Sequence, residues 1–380
     1  WVRLSLKELR VRCLHALNRR TRVAAAVSAV LAGLAILTYL PSVFLPFIGD
    51  DCVHIAVARQ FVPVSGWEYL ARDPVYRCRA TSHFRTYWTE QWFGLDPVAF
   101  SWSSVLLHVL NTLLAFALGS WRAVGWRVSA VAAGFFAAYE GHQEAVVWYA
   151  AVPELLVFFF SLVVILFWIA WLRNHQKRVS LYAAALLAFV LAMLSKESGV
   201  IVVALTWVAN AFIPYSFLSD MPRVPSRHTY LASLGLSLVV AKGLLCLYRH
   251  FRGSHYQWVV YAVAFVILMH NLGYLWTKKQ AQYEERAAPT EALIDMVKEG
   301  NGPVYVHCFP YGEEIARKAV EVGAGRSPYR VVWHPAPPDA CESGFSLSWN
   351  PNQDVCQNGK RDKREPAAQG GEETELIGSR

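Results

Sequence analysis

The chain has 380 residues, a formal net charge of +8, 55% hydrophobic residues and only 17% charged ones. A soluble globular protein carries about 25% charged residues, so much of this surface meets something other than water. Disorder, collagen-like structure and a disulfide-stapled mini-fold are excluded. Lys and Arg fall in short clusters between apolar runs, which points to a multi-span membrane protein and away from nucleic acid.

In chain order, residues 1–22 form a basic N-terminus with seven Lys/Arg. It is too basic and too interrupted for a secretory signal peptide, and the positive-inside rule places it in the cytoplasm. A membrane domain follows over residues 23–276. About 20 mostly apolar residues cross a bilayer, and candidates lie at 23–47, 99–121, 128–139, 146–172, 179–194, 198–217, 229–248 and 256–276. Residues 48–98 form a long first outer loop rich in Trp, Tyr and Phe, as expected of amphipathic helices lying on the membrane face. Alternation through eight spans puts 249–255 outside despite two Arg, and the C-terminal part inside. Residues 277–334 read as a small α/β unit, with EALIDMVKE and GEEIARKAVEV as helices and GPVYVHCF and YRVVWH as strands. From Pro335 to Arg380 apolar periodicity vanishes and the composition predicts disorder. The fold class is therefore an all-α polytopic membrane protein with about eight spans, a long amphipathic outer loop and a C-terminal α/β appendage.

An ionisable side chain at membrane depth costs about 2.5–3.5 kcal/mol on insertion scales, so the few present need a reason. Asp50 and Asp51 end the first span. Glu140, His142 and Glu144 end the third, Glu154 follows Pro153 in the fourth, and Lys196 and Glu197 join the fifth and sixth. All fall near the outer face under this topology. Each also has a plain structural reading. Asp-Asp after Gly caps helices, Glu140 and Glu144 suit a solvated helix end, and Lys196–Glu197 suits a short loop. His108 and Asn111 would bond neighbouring helices, and Lys242 would snorkel. No CxxC, HExxH, GxGxxG or P-loop is present. Of seven Cys, only Cys52 and Cys78 share the outer loop and could pair.

In order along the chain, several segments resemble integral-membrane glycosyltransferases of the GT-C fold. The resemblance is to the branch of protein O-mannosyltransferases and the membrane half of tetratricopeptide-linked mannosyltransferases. They are Asp50-Asp51 after the first span, Arg79, FGLDP from Phe93, LLHVLNTLL from Leu106, GHQEAVVWYAAVPELL from Gly141, LSKES from Leu194 and SRHTYLASLGL from Ser226. His142, Glu144 and Trp148 match an H-x-E-x-V-x-W segment. Two elements depart: Arg-Pro-Leu is Arg79-Ala80-Thr81, and a first His-Pro is Tyr139-Glu140. Relatives also carry further spans between the Lys-Glu and Arg-x-x-Tyr-Leu elements, which lie here about 30 residues apart; the resemblance thus implies a version short of some middle spans.

The resemblance implies transfer of a mannose-like sugar from a polyprenyl-phosphate donor to a protein, lipid or glycan hydroxyl. The reaction would take place at the outer face of the cell (inner or plasma) membrane. Asp50 or Asp51 would be the base, made more basic by partial desolvation. Arg79 and Lys196 would meet the leaving phosphate. His142 and Glu144 would orient acceptor or phosphate, with Glu154 and Glu197 in the same binding set. No cofactor is marked with certainty by the residues; a divalent cation is an open option, for which carboxylates would favour Mg²⁺ or Mn²⁺, and some relatives need none. Two rival readings are an inactive scaffold of the same fold and a transporter or lipid flippase.

Overall fold

Long runs of Leu, Val, Ala and Phe without Pro or charge make helices here, and each run ends where Gly, Pro or a charged cluster intervenes. The computed structural model describes residues 6–63, 68, 72–174, 176, 178–200, 229–307, 309–333 and 346–348. Helix α1 (Leu6–Tyr39) carries the basic segment straight into the first apolar run and tightens into a 3₁₀ turn at Leu40–Phe44. Two loop helices follow, α2 (Asp51–Phe61) and α3 (Pro74–Phe93). The bundle continues with α4 (Pro97–Ala117), α5 (Trp126–Ala138), the short α6 (Gln143–Val147), α7 (Val152–Arg173) and α8 (Val179–Met193). Past residue 228 come α9 (Thr229–His250) and α10 (Gln257–Tyr274).

Lipid supplies no hydrophobic drive between helices, so close packing and buried polar bonds must hold the bundle. Both are present. Phe136 stacks on Phe158 with centroids 5.0 Å apart and meets Tyr230 edge-on at 5.2 Å. His108 Nδ1 lies 2.6 Å from the Tyr230 hydroxyl, and Asn111 Nδ2 donates to the Leu155 carbonyl at 3.0 Å. His108 and Asn111 are thus helix-to-helix struts, as their shared face suggested. Large apolar side chains such as Leu187, Val239, Phe265 and Val266 face outward, which suits contact with lipid. Lys242 is exposed on α9.

Among the described residues four stretches are long and apolar enough to cross a bilayer: Thr21–Phe44, Pro97–Ser120, Tyr149–Arg173 and Gln257–Glu299. Trp126–Ala138 and Val179–Met193 are shorter, and α9 adds a further apolar helix of 22 residues. Eight spans are therefore not established. The expected span at 198–217 lies outside the described residues apart from a 3₁₀ turn over Glu197–Val200.

After α10 the chain does not leave the helix. A π-helical turn, Leu275–Lys279, leads directly into α11 (Gln280–Glu299). Then come β1 (Val304–His307), α12 (Glu313–Gly323), β2 (Val331–Trp333) and β3 (Ser346–Ser348). The sheet order is β2-β1-β3, with β2 parallel and β3 antiparallel to β1. Leu293, Val304, Val306, Val320 and Val331 pack its core. The strand β3, with Leu347 buried, falls in the stretch whose composition predicts disorder; three residues of alternating pattern are too few to register against polar flanks. Cys52 and Cys78 are both free, so the pairing considered for the outer loop is absent.

The α/β unit sits against the first outer loop. Helix α12 packs on α2, and Ala319 and Val322 share a buried cluster with Cys52 and Ile55. The eight-span count had put these two regions on opposite faces. Lys196 meets Glu154 and Tyr230 meets Phe158, both in the first turns of α7, so α8 ends and α9 begins at the same end of the bundle. Turn 250–256 therefore lies at the end of the bundle remote from the loop. The conflict over Arg249 and Arg252 disappears with it, since both join the basic end of the molecule. In a cysteine-free background, Cys placed at the exposed positions 60 and 314 should react with an impermeant maleimide from one side, and Cys at position 252 only from the other. Labelling at 314 and 252 from a common side would refute this arrangement.

Candidate functional site

Gly49, at φ 49°, turns the chain from the end of the first span into α2, a backbone conformation that other residues adopt with strain. Asp50 stands at the N-cap and Asp51 is the first helical residue. Asp51 is 2% exposed. Its Oδ2 accepts the Ile48 N–H at 2.8 Å and its Oδ1 accepts the Ala150 N–H at 2.7 Å. The carboxylate thereby ties the loop entrance to the turn preceding α7. Burial raises its pKa to about 8, helped by the Asp50 charge; the two N–H bonds and Arg286 oppose this without cancelling it.

A second group closes over this turn. The Glu144 carboxylate, nearly buried, faces Arg286 Nη1 of α11 at 3.4 Å. The guanidinium lies over Trp148 at 4.7 Å and Tyr283 at 5.6 Å, a cation–π arrangement worth about 0.5–2 kcal/mol. The Tyr311 hydroxyl donates to the Arg286 carbonyl at 2.5 Å. Its ring covers Gly49 so closely that a Cβ there would lie 3.3 Å from it. Beside these groups a narrow crevice, with room for about one water molecule, lies between Tyr39, Trp276, Lys279 and Tyr283, at the level where α10 passes into α11.

On the other side of Asp51, α2 and α3 bring His54, His83, Arg79 and Arg85 near one another. Tyr149 lies between them and Asp51. Its hydroxyl is 3.0 Å from Thr86 Oγ1, its ring is 5.9 Å from the Arg85 guanidinium carbon, and its neighbour Ala150 bonds Asp51. Thr81 holds α3 to the end of α8 through the Leu194 carbonyl and Ser195 Oγ, at 2.7 Å. Lys196 and Glu154 form a buried ion pair behind this contact.

Of the residues that the sequence singles out, Asp50, Asp51 and Glu144 gather with Arg286 at one turn, while Arg79 stands across Tyr149 beside His54 and His83. Glu154 and Lys196 are engaged with each other. His142 is fully buried in the bundle with Nδ1 2.9 Å from Ser233 Oγ, and it packs on Phe136 and Tyr230. That makes it a strut and not a group facing the loop. Glu197 is exposed. Among the described residues no three His, Cys, Asp or Glu side chains stand together so as to hold a metal ion. Asp51 faces N–H donors and Arg286, surroundings suited to a buried carboxyl and not to a Mg²⁺ or Mn²⁺ ligand. Sequence reading missed Arg286, Tyr311, His54, His83 and Arg85. The one available signal was His54, three residues after Asp51 and so on the same helical face.

Two outcomes are expected. Lys196→Met should destabilise the fold by about 3–5 kcal/mol by stranding the Glu154 charge, with Lys196→Met/Glu154→Leu recovering most of it, measured by denaturation in detergent. The protonated-carboxyl infrared band of Asp51 should vanish with a midpoint near pH 8, and should be missing from Asp51→Asn. Searches against protein-family models, curated proteins and solved structures find no match for this chain.

Proposed function

We propose that the protein is a membrane glycosyltransferase, GT-C-like in plan, that moves a sugar from a polyprenyl-phosphate donor to an acceptor hydroxyl. The observation that carries this reading is Asp51. It is a buried carboxyl of raised basicity at the loop-facing end of the bundle, with the Arg286 guanidinium near it and Arg85 beyond the Tyr149 ring. A general base needs a pKa near the working pH, and a departing phosphate needs fixed cations. Both requirements are supported within one region.

In the step, the acceptor hydroxyl gives its proton to the Asp51 carboxylate as its oxygen bonds to the anomeric carbon. The bond from that carbon to the phosphate oxygen breaks, and the electron pair leaves with the phosphate. Attack opposite the phosphate inverts the anomeric centre. Arg79 is the cation on the departing side. Glu144 holds Arg286 in place, and Arg286 and Tyr311 roof the turn that carries Asp51. Asp51 is chosen over Asp50 because its burial makes it the stronger base.

Purified full chain in vesicles is tested with radiolabelled short-chain polyprenyl-phosphate sugars and a mixed acceptor pool. Transfer should fall about 10²–10⁴-fold in Asp51→Asn and by less than about tenfold in Asp50→Asn. Since the base must be unprotonated, kcat/KM should climb as pH rises toward about 8 and then level off. A wild-type protein inert with every donor tested, or an Asp51→Asn variant at full rate, would overturn the assignment.

A further inference from the structure

Helices α2 and α3 bury an unusual set of polar atoms. His54 and His83 are 6% and 3% exposed, and their rings lie 4.6 Å apart at 34°. Tyr76 stacks on His83 at 5.9 Å, and Tyr149 meets His54 edge-on at 6.1 Å. Tyr76, Arg79, His83 and Thr86 follow at spacings of three, four and three on α3, so they form one stripe facing α2. Yet His54 Nε2, His83 Nδ1 and Arg85 Nη1 are all buried without a hydrogen-bond partner. Each such atom costs about 1–3 kcal/mol, and native proteins leave few of them. Three in one patch, next to the proposed base, indicate a group that the protein expects to receive.

The charges select the kind of group. Arg79, Arg85 and His83 face His54, and Arg79 and Asp73 face His83. Asp51 lies on the same face of α2, and Tyr149 separates it from Arg85. Among the described residues Asp73 is the one carboxylate acting at His83, so positive charge predominates and a metal cation would be repelled. We infer that His54, His83, Arg79 and Arg85 form the seat of a tetrahedral oxyanion, with the imidazoles and guanidinium groups donating to its oxygens. Taken with the proposed reaction, on which this part of the inference rests, the oxyanion is the phosphate of the prenyl donor. A soluble phosphate ester would present the same chemistry.

The surroundings hold both imidazoles neutral. Burial, then the facing cations, lowers His54 well below the usual range and His83 to about 4. An anion bound at their free ring nitrogens reverses the electrostatic part. Histidine protonation and anion binding are then linked, so binding tightens as pH falls.

Sulfate is the discriminating probe because it stays a dianion across the range, leaving protein groups to set the pH dependence. Calorimetry on the full chain in detergent should show sulfate binding at least about tenfold tighter at pH 6 than at pH 8.5, with uptake of about one to two protons per anion. The proton uptake is read from runs in two buffers of different ionisation enthalpy, and needs no variant. His54→Gln/His83→Gln should remove both the binding and the uptake. Asp51→Asn should keep the binding while losing transfer, which separates this inference from the reading of the reaction. Competition by a short-chain prenyl phosphate, but not by glycerol phosphate, identifies a lipid headgroup; the converse identifies a soluble ester. Absence of sulfate binding, binding indifferent to pH without proton uptake, or binding unchanged in a folded His54→Gln/His83→Gln protein would overturn the seat.

Discussion

The arrangement depends on one carboxylate accepting two backbone N–H groups from distant parts of the chain. Asp51 takes the amide of Ile48, three residues before it, and that of Ala150, at the threshold of α7. An apolar residue at position 51 would leave both amides buried without a partner, and a basic one would repel them. The bond to Ala150 also fixes Tyr149, whose hydroxyl meets Thr86 and whose ring faces Arg85. Through these few atoms the loop helices, the bundle and the cationic stripe of α3 acquire fixed relative positions. The contacts that hold this keystone still also favour its charged form, and it is burial that keeps its basicity raised despite them.

The C-terminal unit takes part in that architecture. Its entry helix supplies Arg286, which lies between Glu144 and the Trp148 ring, while Tyr311 leans on Gly49. The apolar side of α12 completes a cluster begun by Cys52 and Ile55. The unit is thus one wall of the region around the aspartate pair, though sequence reading treats it as an appendage on the far face.

Much of the bundle was legible because apolar runs of twenty or so residues have few other uses. Asp50, Asp51 and Glu144 also stood out, since an acid beside such a run needs an explanation. Orientation was not legible past Lys196, because alternation inverts every later segment when one crossing is miscounted. The Arg249 and Arg252 pair carried the correction in plain sight. Arg286 and Tyr311 could not be found, because an Arg in a polar helix and a Tyr in a soluble turn are ordinary in their own segments. Their significance arises from tertiary contact. His142 illustrates the opposite error: a residue at a suggestive position that spends its polarity on Ser233 within the bundle.

The uninterrupted passage of α10 through its π-helical turn into α11 has a mechanical consequence. A flexible linker would let the soluble unit tumble independently of the bilayer, whereas a helix transmits torque. The π turn inserts an extra residue at the membrane boundary and sets the phase of every side chain beyond it, Arg286 included. Tilting of α10 in response to bilayer thickness would therefore swing Arg286 against Glu144 like the end of a crank.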